Sequence, residues 1–338
     1  MVPVIQVNAV LEKIFELDPA QMRRKGNWLW WWWIFYFDEP RDKPKQVMVL
    51  WSTKNERKIN CNGLDISLRH EFIKRDGAAW NIDGAVAAWY YDGRQMRENY
   101  LLNHADVLVE ANRLGTKEPF TEFSREKNGF MVSAGDLQFQ IGEPEKTGFY
   151  APDSKESVFL KKFSYDIFKI NRVPFESNAG RGTAYFQRVR INAPVPPWYW
   201  GLYHFEGGGA VHYYQPHLGA SALTNKPGGG AFPVKKHFQF WDGRRLFDNR
   251  ACSVRRVGGG NPAFIVESDG AAGKAKMLVE SYSHACWAFR KGRLNRLDYN
   301  EYPALVKEFS FRNASGKWAL DDLGQGRGNS EHATGFLW

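Results

Sequence analysis

Apolar positions along this chain recur with two periods. Val7, Val10, Leu11, Ile14 and Phe15 return at intervals of three and four, the spacing of one face of a short helix that stops before Pro19. Beyond it, alternating or continuous apolar runs are separated by Gly, Pro, Asn and Asp, which predicts strands and turns. The densest run is WLWWWWIFYFD, Trp28 to Asp38. Its uncharged stretch, Gly26 to Phe37, is 12 residues long, whereas a helix crossing a membrane needs roughly 20. As a strand, 11 residues would reach roughly 36 Å at about 3.3 Å per residue. That length suits a strand curling around a barrel. Trp28, Trp30, Trp32, Ile34 and Tyr36 would share one face, and Leu29, Trp31, Trp33, Phe35 and Phe37 the other. Both faces are apolar, so both must be covered. One set of tryptophans is expected to line a barrel, with Trp28, Trp30 and Trp32 as ligand contacts.

Hairpin signals recur along the chain. WYYDGRQM turns at Asp92-Gly93, FQFWDGRRLF at Asp242-Gly243, and YHFEGGGAVHYY makes a third hairpin. RQMRENYLLNHADVLVEANRLG is the most helix-compatible internal segment, while GAAGKAK and KPGGG read as exposed loops. The composition changes between about Asn171 and Pro197, where one strand, TAYFQRVRI, leads into NAPVPP. Proline cannot donate to a central ladder and keeps the backbone extended. The expected organisation is all-β, two packed antiparallel barrels spanning 1–172 and 173–338.

With 338 residues the chain can bury a sizeable core, and 15% aromatic residues with 32 Gly and 16 Pro agree with strands and turns. The net charge is +9, but the basic residues are scattered as pairs such as Arg23-Arg24 and Lys235-Lys236 with no run of five. Nucleic-acid binding is therefore not expected, and the charge reads as a solvated surface open to acidic ligands or a peripheral membrane contact. Cys61, Cys252 and Cys286 lack metal-ligand spacing and read as reduced thiols of a cytoplasmic protein. MVPVIQVNAVLEKIFELDP has no basic region ahead of an apolar core, so no secretory signal is expected.

The chemistry concentrates in the hairpin after the Pro-rich segment. With a loop of Glu206 to Gly209, Phe205 would oppose Ala210 and Tyr203 would oppose His212. Trp198, Trp200, Leu202, His204, Val211, Tyr213, Gln215 and His217 would then share one face, and Tyr199, Tyr203, Phe205, His212 and Tyr214 the other. His204 and His212 would point oppositely, with His212 in the pocket. Imidazoles on an aromatic wall suit acid–base work on an apolar ligand. Metal binding by His212 and His217 is not expected, because positions five apart on a strand face opposite ways. Near the carboxyl terminus Gly324, Gly326 and Gly328 resemble half of a dinucleotide fingerprint without its βαβ unit, so phosphate cradling is rejected. Asn329, Glu331 and His332 follow on a closing strand, and LDYNEYPALVKEFSF supplies Asp298, Glu301 and Tyr302. No G-x-S-x-G, Walker, zinc-protease or EF-hand pattern occurs.

The Trp-rich strand, GTAYFQRV with PWYWGLYHFEGGGAVHYY, the late YNEYPALVKEFSF and the terminal GQGRGNSEHATGFLW together resemble the double lipocalin-like superfamily of carotenoid 1,2-hydratases (hydroxyneurosporene synthases) and AttH-type proteins. Fungal pericyclases are similar in architecture. The resemblance implies two lipocalin-like barrels of eight to ten strands and a hydrophobic ligand. It also implies a cofactor-free reaction in which an isolated isoprenoid double bond is protonated and the cation is captured by water. His204, His212, Tyr213 and Tyr214 lie on the corresponding strand pair. The candidate acid–base residues are His212, Tyr214, His204 and Glu331. The candidate ligand contacts are Trp28, Trp30, Trp32, Trp198, Trp200, Tyr203 and Tyr213. A tryptophan face stabilises a carbocation by about 0.5–2 kcal/mol, and a general acid adds roughly 10²–10⁴-fold in rate. The expected function is a cofactor-independent hydratase, isomerase or cyclase on an isoprenoid or polyene-like substrate. The alternative is a non-catalytic carrier of a hydrophobic ligand.

Overall fold

A computed structural model describes residues 11–40, 42–144, 150–153, 164–193, 195–217, 236–293 and 295–337. The chain divides into two compact units, residues 1–193 and 194–338.

The first unit is a closed antiparallel barrel. Its ten strands are β1 (Trp28–Phe37), β2 (Gln46–Lys54), β3 (Ala79–Tyr91), β4 (Met96–Val109), β5 (Arg113–Thr116), β6 (Thr121–Glu126), β7 (Gly129–Ala134), β8 (Leu137–Ile141), β9 (Ser164–Ser177) and β10 (Gly180–Asn192). Each pairs with the next in sequence; β10 also pairs with β1, so no edge is left open. β9 runs through residue 172, where a domain boundary was expected, and TAYFQRVRI lies in β10 beside β1. The Pro-rich connector itself, not the strand before it, separates the units.

The aromatic strand is buried as expected, but its faces are reversed. Leu29, Trp31, Trp33, Phe35 and Phe37 belong to the barrel core, with Phe123, Phe139, Phe175 and Phe186. Phe35 stacks on Phe139 at 3.7 Å, and Trp33 lies 4.7 Å from Phe186. Trp28, Trp30 and Trp32 point to the opposite face, so they do not line the barrel. There the Trp28 indole donates to Ser52 Oγ (2.7 Å) beneath the Lys54 ammonium, and Trp32 meets Tyr185 edge-on at 5.4 Å. Alternation divides the residues correctly, yet two equally apolar faces carry no information about which one is inside.

The expected amino-terminal helix is minimal: a 3-10 turn at Glu12–Ile14 and a four-residue helix at Pro19–Met22 capped by Asp18. Val7 and Val10 lie outside the described residues. Leu11, Ile14 and Phe15 pack into the barrel core, and the Ile14 carbonyl accepts from the Trp31 indole (2.7 Å). The helix-compatible segment after Arg94 is β4, a strand tied to β3 through the Asp92-Gly93 turn. Asp92 Oδ1 accepts from the amides of Arg94 and Gln95, and Gly93 supplies φ +93°.

The second unit contains β11 (Trp198–Phe205), β12 (Ala210–Pro216), β13 (His237–Trp241), β14 (Leu246–Asn249), β15 (Ser253–Val257), β16 (Ala263–Gly270), β17 (Gly273–Ser281), β18 (Ala285–Lys291), β19 (Asn295–Asn313), β20 (Gly316–Ala319) and β21 (Gly326–Phe336). The ladder order is β14-β13-β12-β11-β21-β19-β17-β16-β15, with β18 and β20 on β19. Among the described residues no ladder joins β14 to β15, and the expected second closed barrel does not appear among them. β14 is four residues long and ends at Asn249, whose side chain bonds to Ser268 Oγ, the Gly273 carbonyl and the Ala272 amide at 2.8–3.0 Å. The Asp242-Gly243 turn forms as expected between β13 and β14. GAAGKAK is a tight turn running into β17, and KPGGG lies outside the described residues.

Gly326 and Gly328 make room for aromatic rings. A Cβ on Gly328 would meet the Leu202 carbonyl at 2.0 Å and Tyr203 Cδ1 at 2.6 Å; one on Gly326 would meet Phe205 at 2.8 Å. Gly328→Ala is expected to destabilise by about 3 kcal/mol, the upper end of overpacking costs, read as a lowered melting temperature.

Candidate functional site

The site follows from the register of the hairpin β11–β12. Its closing pair is His204 with Ala210, and Phe205 donates its amide to the Gly209 carbonyl (2.9 Å), so the loop holds five residues, Phe205 to Gly209. The expected four-residue loop shifts the pairing by one, and such a shift turns every following side chain of β12 over. In the observed register Leu202 opposes His212 and Trp200 opposes Tyr214. His204 and His212 therefore share one face with Trp198, Trp200, Leu202 and Tyr214. Tyr199 and Tyr203 share the other with Val211 and Tyr213.

The second face is core. Tyr203 and Tyr213 are fully buried, with their hydroxyls 2.5 and 2.7 Å from Ser330 Oγ. That hydroxyl engages both tyrosines, and their rings, expected as ligand contacts, pack in the core of the unit.

The first face carries Glu301, Glu331, His212 and His237. One row across the sheet reads Glu301 (β19), Glu331 (β21), Trp200 (β11), Tyr214 (β12) and His237 (β13). Facing side chains in such rows have Cβ atoms about 4.5–5.5 Å apart. Glu331 is 5% exposed and Glu301 1%. The Trp198 indole donates to Glu331 Oε2 and the Tyr299 hydroxyl to Oε1, both at 2.7 Å, and Asn329 Nδ2 donates to Glu301 Oε2 (3.2 Å). The Trp198 and Tyr299 rings lie 5.6 Å apart. Among the described residues no cation pairs with Glu331. Burial pushes this carboxyl up to about 7, against the opposing effect of its two hydrogen bonds. Burial and the two carboxylates together hold Tyr299 well above its ordinary range, so it remains a donor.

Across the aromatic strip, His237 Nε2 lies 3.0 Å from His212 Nδ1, and His212 packs edge-on against Trp200 at 5.6 Å. His204 is buried on the same face, four residues beyond Trp200 along β11. At about 3.3 Å per residue it sits roughly 13 Å from that row.

Glu331, Trp198, Trp200, His212 and Tyr214 are thus brought to one face, and His204 stands apart along the strand. Tyr299 and His237 were not anticipated. Tyr299 carried a legible signal, since it alternates with Glu301 and must share its face. Tyr302 and Asp298, read beside Glu301, face elsewhere: Tyr302 is core under the His284 ring (4.7 Å), and Asp298 pairs with Arg290 (2.7 Å).

In the first unit, His70, Asp83 and Asp106 bring ligand atoms within 4.8 Å of one another. Arg69 donates to Asp83 (3.0 Å) and Asp106 (2.8 Å), and His104 Nε2 lies 2.7 Å from Asp83. Burial raises Asp83, but His104 and Arg69 outweigh it and hold the carboxyl at about 2. The Oδ1 atoms of Asp83 and Asp106, which would ligate a metal, are both engaged by the Arg69 guanidinium. Among the described residues no helix is long and apolar enough to cross a membrane.

No family model matches the chain, and no curated protein matches it. Solved structures are similar in chain path. One is a putative AttH from Nitrosomonas europaea, 12% identical, with a TM-score of 0.49 over 96% of this chain and 95% of that one. Another is kievitone hydratase from Nectria haematococca, 9% identical, with a TM-score of 0.37 over 95% and 94%.

Proposed function

We propose that this chain is a cofactor-independent enzyme in which Glu331 protonates a carbon–carbon double bond of an apolar, isoprenoid or polyene-like substrate. The observation that carries this reading is a buried carboxyl that has no cationic partner among the described residues, held between an indole and a phenol and raised to about 7. A carboxyl in that range is matched to proton donation near neutral pH. Trp198, Trp200 and Tyr299 present π faces to the positive charge that forms at carbon. Water capture of the cation yields an alcohol and releases a proton, which the His212–His237 pair accepts. Loss of a proton without water yields an isomer, and attack of a second double bond on the cation before that loss yields a ring. Hydration is the leading reaction, in keeping with the hydratase resemblance of the sequence motifs.

The acid form of Glu331 is the competent one. Turnover on a panel of acyclic polyenes and isoprenoid lipids is therefore expected to be flat below about pH 7 and to fall about tenfold per pH unit above it. Trp198→Phe removes a bond that favours the carboxylate, which raises the carboxyl further and moves the falling limb to higher pH. An unmoved limb, or one moved to lower pH, would assign the titration to another group.

A further inference from the structure

The strands that present Glu331 on one face carry a second polar set on the other, unused by the proposed reaction. His217 follows β12 directly, is fully buried, and donates its backbone amide to the Pro197 carbonyl (2.9 Å). Among the described residues neither of its ring nitrogens has a hydrogen-bonding partner. Its ring lies 4.7 Å from Tyr199 and 5.5 Å from His332, and His332 stacks on Tyr199 at 4.3 Å and 18°. Asn300 extends the set, donating to the His332 carbonyl (3.0 Å) with its Oδ1 2.9 Å from His284 Nε2. Phe264 closes the apolar side, 6.5 Å from Tyr199 and 5.5 Å from Tyr302.

A buried imidazole with both nitrogens unpaired carries the full cost of its lost hydration, which a phenylalanine of similar shape would avoid. Burial also pushes His217 down to about 4, so at neutral pH it offers one N–H donor and one acceptor nitrogen. A carboxylate answers the donor alone, and an ammonium the acceptor alone. A hydroxyl both gives and receives, without bringing charge into the core.

We propose that the inward end of this sheet, formed by His217, His332 and Tyr199, binds the hydroxyl of an apolar alcohol, with Phe264 and Tyr302 against its hydrocarbon part. This site is separate from Glu331 and stands whether or not Glu331 is an acid. The probes are 1-octanol and n-octane, added to the intact chain carrying ¹⁵N-labelled histidine. Octanol is expected to shift the His217 ring resonances and to bind at least tenfold more tightly than octane. His217→Phe, folded by circular dichroism, should erase that preference, and Glu331→Gln should leave it intact. Ring resonances of the unaltered chain that ignore octanol would overturn the proposal, even if His217→Phe fails to fold. So would an alcohol preference that survives in folded His217→Phe.

Discussion

Trp33→Ala is expected to lower the unfolding free energy by about 3–5 kcal/mol, the range for deleting a fully buried large aromatic. Trp33 has no exposed surface and touches Phe35, Phe123, Phe130 and Phe186 at ring distances of 4.7–6.0 Å. These neighbours come from four different strands of a closed barrel, which limits how far the walls can move in to fill the void. The indole N–H makes no hydrogen bond among the described residues, so the loss is one of packing. Trp30, half-buried on the opposite face, should lose clearly less when cut to Ala. Denaturant midpoints of the two variants check the order. Equal losses would mean that the barrel interior is not the packed element described above.

The second large effect is on catalysis. Glu331→Gln keeps the size of the side chain and its acceptor oxygen for Trp198 or Tyr299, but removes the titratable proton. Turnover is expected to fall by roughly 10²–10⁴-fold, the contribution of a positioned general acid. Stability should change little or rise, since a buried ionisable group is exchanged for a neutral one. A melting temperature within a few degrees of the parent would show that lost activity is lost chemistry.

Much of the fold is legible in the residues. Asp92-Gly93 and Asp242-Gly243 specify their turns because the aspartate side chain bonds the next amides while glycine takes the positive φ. The run from Trp28 to Phe37 reads as a strand because it is too short to span a membrane and too uniformly apolar for a surface helix. Its inward face does not follow, because alternation sorts residues into sets without naming the set that faces the core. The same limit governs the β11–β12 hairpin. FEGGG gives no unique loop length, and one residue decides whether His212 joins Tyr199 or Trp200. The segment after Arg94 is the most helix-compatible of the internal segments, but the Asp92-Gly93 turn before it signals a hairpin, and pairing with β3 along its length makes it a strand. Glu331 is legible as a candidate and Tyr299 as its neighbour through Glu301. The raised carboxyl is not legible, because it depends on which side chains fold over it.

The most direct test of the account is the source of the new hydrogen in the product. The intact chain, incubated in D₂O with the isoprenoid and polyene panel, is expected to yield a product with one deuterium fixed on carbon. Glu331→Gln is expected to form that product at least a hundredfold more slowly. Deuterium incorporation at an unchanged rate in folded Glu331→Gln, or no carbon-bound deuterium in any product, would contradict it.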